Sequence, residues 1–189
     1  GCDVVYGGLA YDNKPPEFSK RLRWVYGHQK EAKSLQTRKS KMRYHILVSN
    51  LLLKKSSFST PVFDTELTTY GYEDLIFSEE LKKKQLMVCQ IDNPVIHKGL
   101  ESSKVFLEKT ELALINLCHL IQKNKVSKQA TPLTRLYFKM ESNISLRLFL
   151  ASFGPFKNII KSHLLSKQPR MFWFDMYKLY YFAKHALKK

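Results

Sequence analysis

Acidic residues are scarce in this chain: 16 Asp and Glu stand against 32 Lys and Arg in 189 residues, a formal charge of +16. So lopsided a balance excludes partners of strongly positive potential and favours anionic ones. Glycine and proline are also few, seven of each, which excludes collagen-like and low-complexity chains. Cysteine is rarer still. Cys2, Cys89 and Cys118 are an odd, widely spaced set with no CxxC pair. They offer neither a zinc site nor a disulfide framework, and read as buried or idle thiols in a reducing compartment. No apolar run approaches the roughly 18 residues of a membrane span, and no signal-peptide pattern opens the chain.

What is present is globular. Apolar residues make up 44% of the chain and aromatics 13%, enough surface to bury one well-formed core. The positive charge is uneven. Residues 1–101 hold 16 cationic and 12 acidic side chains, a net +4, whereas residues 102–189 hold 16 and 4, a net +12. The second part is therefore expected to face nucleic acid, acidic lipid or a phosphorylated ligand.

The run 3-DVVYGGLAY-11 is rich in strand formers and reaches the start of the chain without a preceding turn. The sequence is accordingly read as a piece of a longer protein, with the strand's partners upstream. Two prolines in 12-DNKPPEF-18 mark a turn. Residues 19–43 are strongly basic with isolated aromatics and read as a mobile, mostly solvated loop or short helix. The apolar triplets of 45-HILVSNLLLKKSSF-58 suggest a buried strand entering a turn. Glu73 to Lys84 reads as a helix with acid-first pairs Glu79/Lys83 and Glu80/Lys84. A short buried strand follows at 86-LMVCQI-91.

Ser103 to Asn124 is an amphipathic helix with Phe106, Thr110, Ala113, Leu114, Leu117 and Ile121 on one face. Residues 132–153 and 155–187 read as helical, with breaks near Gly154-Pro155 and Pro169. Strands and helices alternate to about residue 100 and helices take over afterwards, an α/β fold with a helical C-terminal extension.

Two features carry candidate chemistry. Glu73 and Asp74 follow Tyr70-Gly71-Tyr72 at the start of a helix. Acids are common there because free backbone N–H groups and the helix dipole favour them. A carboxylate so placed also stays ionised and can accept a proton from a hydroxyl. His97 ends the Asn-Pro-Val-Ile run before Lys98-Gly99. It is either an ordinary hydrogen-bonded residue or a neutral imidazole poised for a divalent metal or a diphosphate oxygen.

In order, 70-YGYED-74, a charged helix, a short strand and 91-IDNPVIHKGLE-101 together resemble family-2 glycosyltransferases of bacterial polysaccharide and lipid-glycan synthesis. The resemblance extends over 3-DVVYGGLAYDNKPP-16, 21-RLRWVYG-27, Asn50, 58-F…FD-64 and 105-VFLEKT-110, and covers about residues 1–122. It implies a Rossmann-like fold of the GT-A type, of which residues 1–101 would be the acceptor-side half and 102–189 the extension. It implies inverting transfer of a sugar from a nucleotide-sugar to a saccharide or lipid-linked acceptor. By the same resemblance Asp74 is the catalytic base and Glu73 supports acceptor binding. Asn50, Tyr70, Gly71 and Tyr72 line the acceptor and donor-sugar site, and His97 holds the diphosphate or a Mn²⁺ or Mg²⁺ ion.

Arg21, Arg23 and Lys30 are candidates to cover the phosphates, or simply solvated cations. The family's DxD metal motif is missing. Asp64-Thr65-Glu66 resembles one but stands on the wrong side of 3–11 and is read as a turn. The isolated chain is therefore expected to bind nucleotide-sugar poorly and to lack activity alone. A cytoplasmic protein at the inner face of a membrane is the compartment implied.

The run 169-PRMFWFDMYKLYYFAKHALKK-189 interleaves aromatics and cations. If helical, it places Phe172, Met176, Leu179 and Phe182/Ala183 on one stripe, the pattern of core packing. The alternative for 157–189 is peripheral attachment to anionic membrane; nucleic acid is the least favoured partner. An exposed sheet edge would allow a homodimer. The rival to the enzyme is a basic module that binds membrane or nucleic acid and carries no chemistry.

Overall fold

The computed structural model describes residues 1–41, 44–58 and 70–187. Asp64-Thr65-Glu66 and the matched stretch around Phe63 lie outside them. The fold is mixed α/β and mostly helical, with two small sheets. Strand β1 (Val4–Tyr6) is the centre of the first sheet, between β3 (Leu51–Leu53), antiparallel, and β4 (Val88–Gln90), parallel. Strand β2 (Leu9–Ala10) pairs in parallel with β5 (Val95–Ile96). Both sides of β1 are thus occupied from within the chain, which corrects the expectation that its partners lie upstream. The sheet's edges are β3 and β4.

The described residues form the α-helices α1 (Arg21–Tyr26), α2 (Leu35–Lys41), α3 (Glu73–Lys83), α4 (Ser103–Gln122), α5 (Pro132–Met140), α6 (Ile144–Leu164) and α7 (Met171–Ala186). Helix α3 covers the sheet, with Phe77 and Leu81 packed on Val4, Tyr6 and Val88. Helix α4 begins at Ser102, whose Oγ accepts from Val105 N at 3.2 Å. Its Leu107, Leu114 and Leu117 are fully buried, each removing apolar surface worth about 1.5–3 kcal/mol from water. Leu114 and Leu117 join Tyr137, Leu146 and Phe182 in one core cluster. Leu107 joins Leu22, Phe153, Phe174 and Tyr177 in another.

Three expectations need correction. Of the two readings of the basic segment from Ser19, the short helix holds and the solvated loop does not: α1, a π-turn over Gly27–Glu31 and α2 build most of it, and Leu22 and Arg38 are buried. Among the described residues no ion pair joins Arg38 to an acid. Its guanidinium donates instead to the carbonyls of Lys33, Tyr6, Gly7 and Ile91 and to Gln90 Oε1, at 2.6–3.2 Å. Gly8 makes room for it: φ is +92°, and a Cβ there would fall 2.8 Å from Arg38 Nη2.

The helix break expected at Gly154-Pro155 is absent, since α6 runs through Pro155. Pro155 sits on the exposed side of α6, as does Ala151, whose carbonyl it leaves without an in-helix donor, while Phe153 and Ile160 are buried on the inner face. The break falls instead between α5 and α6, at residues 141–143. Near Pro169 the expected interruption is present.

The third correction concerns the thiols. Cys2 and Cys89 form a disulfide, with Cα atoms 5.8 Å apart. Parallel pairing of β1 with β4 brings the residues just before β1 beside β4, and the bridge from Cys2 closes a sequence gap of 87 residues. Cys118 is buried in the helical core. A loop of that length gives the bridge about 2–4 kcal/mol of stabilisation. Reduction, or Cys2→Ser, is expected to lower the denaturation midpoint correspondingly in urea melts with and without dithiothreitol. Coincident melts would remove the bridge from the folded state.

Candidate active site

One cavity of about 530 Å³ opens between α1, α3, α4, α7 and the end of β5. Most of the residues singled out from the sequence converge on it. Tyr70, Gly71, Tyr72, Glu73 and Asp74 form one wall, His97 and Gly99 another, and Arg23 a third. Asn50, Arg21 and Lys30 are not among its lining residues.

The YGYED wall is held in an uncommon conformation. Gly71 has φ +99° and Tyr72, with a side chain, φ +70°. Two successive left-handed residues turn the chain sharply into α3, at a cost that surrounding contacts must offset. Those contacts come from α4. Asn116 Nδ2 donates to Gly71 O at 2.8 Å, and a Cβ on Gly71 would fall 2.5 Å from Ala113 Cβ. Glu73 reaches back to accept from Gly71 N at 2.8 Å. Asp74 Oδ1 accepts from Val48 N at 2.9 Å. Burial raises the Asp74 carboxyl above its ordinary value, although that hydrogen bond pulls the other way. A partly desolvated carboxylate with free lone pairs is a competent base.

The opposite wall is built on β5, whose chain continues so that His97 N donates to Ala10 O at 2.9 Å. The imidazole stacks on Tyr11 with ring centres 5.5 Å apart and 24° between planes. Burial, reinforced by the Arg23 guanidinium, holds its pKa below the ordinary value, so the ring is neutral at pH 7. Arg23 itself donates through Nη2 to Tyr11 Oη and Glu31 Oε2, both at 3.0 Å. Its cation lies over Tyr11, Tyr26 and Phe106, 5.3–5.8 Å from their centres. Tyr11 completes the network with a short hydrogen bond to Glu31.

Residues given no role from sequence also line the space. Lys109 pairs with Glu101 at 2.5 Å and lies 5.3 Å from the Tyr70 ring centre. Lys178 on α7 pairs with Asp175 at 2.8 Å, and burial holds its ammonium below the ordinary value. Glu101 and Lys109 fall within the matched stretches, which was the available signal. Lys178 had none, since only the packing of α7 on α4 brings it there. Asn50 braces the backbone behind the site, donating to Gly8 O and Asn93 O at 2.8 Å. Arg21 bonds Pro16 O and Lys30 pairs with Asp175, both at 2.8 Å.

Among the described residues no group of three or more His, Cys, Asp or Glu side chains converges to hold a metal ion. His97 has a tyrosine ring and a guanidinium as neighbours, a poor setting for a cation. No protein-family model, curated protein or solved structure matches the chain.

Proposed function

We propose that this chain carries the acceptor-side, catalytic-base half of an inverting glycosyltransferase with a partial GT-A sheet. The observation that supports it is the meeting of two segments far apart in sequence. Tyr70–Asp74 and His97–Gly99, the stretches that resemble the family most, line the same cavity. Its size is in the range of small-ligand sites, about 300–1,000 Å³.

In this reading an acceptor hydroxyl binds against Asp74, which takes its proton as the oxygen attacks the anomeric carbon of the donor. The bond from that carbon to the diphosphate oxygen breaks on the opposite face, and the electron pair leaves with the nucleoside diphosphate. His97, neutral and able to donate from a ring nitrogen, meets a diphosphate oxygen. Glu73 and Tyr70–Tyr72 orient the sugars. Lys109 and Arg23 supply positive potential as negative charge grows on the leaving group. Asn50 holds the loop behind the site rather than touching substrate.

Titration calorimetry with uridine and guanosine diphosphate, with and without Mn²⁺, tests the donor side. It should compare this chain with one extended upstream by a segment carrying a DxD motif. One nucleotide is expected to bind the extended chain, and His97→Ala to weaken it about tenfold or more, the loss of a hydrogen bond to a charged group. Binding indifferent to His97, or none in either chain, would remove the donor role.

A further inference from the structure

Helix α6 has two apolar faces, and the fold uses one. Leu146, Phe153, Ile160 and Leu164 turn inward and are buried. On the other side Ile144, Leu148, Ala151, Pro155 and Ile159 recur at spacings of four, three, four and four residues, one straight stripe along the helix. Ile144, Leu148 and Ile159 are 66%, 61% and 66% exposed, and Phe156, at 56%, widens the stripe. It runs about 22 Å at the usual rise per residue, and no charged side chain falls within it. Phe172 and Trp173 are exposed in the first turn of α7. That turn begins beside the end of α6, where Arg170 N donates to His163 Nε2 at 3.3 Å.

Along the chain between Glu141 and Asp175 the charge is of one sign. Residues 142–174 contain no Asp or Glu but five cations: Arg147, Lys157, Lys161, Lys167 and Arg170. Lys161 reaches Glu111 at 3.8 Å. Arg147 flanks the stripe and Lys167 and Arg170 follow its C-terminal end; all three are exposed.

We propose that this face docks on an anionic lipid bilayer. Helix α6 lies along the surface with its stripe at the headgroup–acyl boundary, and Arg147, Lys167 and Arg170 lie among the lipid phosphates. A second copy of the chain fits less well. Stripe-to-stripe packing would bring two cationic flanks together with no acid from residues 142–174 between them. Nucleic acid fits less well again, because the stripe presents hydrocarbon where phosphates would need cations. A bilayer takes both features at once. The surface lies on α6 and the start of α7, whereas Tyr177, Leu179 and Phe182 of α7 are committed to the core. This inference is independent of the transfer reaction.

The test is co-sedimentation of the full chain with phosphatidylcholine vesicles, with and without a third of phosphatidylglycerol. It is run beside the double variant Leu148→Ser/Ile159→Ser and the control Leu112→Ser/Leu136→Ser, whose residues are exposed elsewhere. Binding is expected on the anionic vesicles, at least tenfold weaker on neutral ones. The α6 variant should lose at least tenfold while the control keeps its affinity, with all three melting alike. Equal binding of the α6 variant would reduce the interaction to charge alone and overturn the proposal. So would a wild-type dimer in analytical ultracentrifugation that the α6 variant dissolves, or binding to oligonucleotides but not to vesicles.

Discussion

Asp74→Asn is expected to slow sugar transfer by about 10²–10⁴-fold, the usual contribution of a positioned general base, without unfolding the protein. Asparagine keeps the shape of the side chain and an oxygen for Val48 N, whose bond to Asp74 is 2.9 Å. It cannot take a proton from the acceptor. Burial raises the Asp74 carboxyl above the ordinary 3.8, and the sign of that shift separates rate from stability. An acid whose folded-state pKa is raised favours folding when protonated. That advantage is full below its unfolded value and lost as pH rises through the folded one. At pH 7 the ionised carboxylate therefore opposes folding, and the Asn variant should melt no lower than wild type. Wild type should gain on it only as the pH falls towards 4. The rate, which needs the ionised form, should fall on the acid side with a midpoint above 3.8. Activity assays on the upstream-extended chain and thermal melts of both forms check this. A variant that keeps its rate would remove Asp74 as base. A large drop in melting temperature at pH 7 would make any lost activity a folding effect.

Arg38→Ala is expected to cost about 3–5 kcal/mol of stability. Five acceptors on β1, β4 and the loops beside them converge on this guanidinium. Its Cζ also lies 5.1 Å from the Tyr6 ring centre. Truncation leaves several buried oxygens without a donor, at about 1–3 kcal/mol each where water does not reach them. Arg38→Lys should recover little, because one ammonium cannot span acceptors arranged for a planar fork. Urea denaturation of the two variants measures this. If Lys restored wild-type stability, the charge rather than the fork would be what the site needs.

The same arginine shows why part of the fold was illegible. Residues 19–43 look solvated because they are basic and have few acids nearby in sequence. The donors of Arg38 are satisfied by backbone carbonyls and the Gln90 side chain 31 to 53 residues away, which no local pattern reveals. The Cys2–Cys89 bridge was hidden likewise, since adjacency across a parallel pair depends on which strands become neighbours. At Pro155 a correct local rule gave the wrong answer, because burial of Phe153 and Ile160 on the other side of the helix offsets its cost of about 3 kcal/mol. The candidate site was legible in part. Acids at the start of α3 are a local signal, whereas the left-handed Gly71 and Tyr72 before them are held by contacts from α4 that no local pattern reveals. Helix α4 was plain from its spacing, although the packing of α7 that adds Lys178 was not.

The central claim is that Tyr70–Asp74 and His97–Gly99 contact one ligand. Amide NMR of the extended chain during titration with uridine or guanosine diphosphate and Mg²⁺ tests it directly. The Gly71, Tyr72, His97 and Gly99 resonances are expected to move together along one saturation curve, and His97→Ala to displace the whole curve to higher ligand concentration. Shifts confined to one wall, or to the exposed cations of α6 and α7, would contradict a shared site.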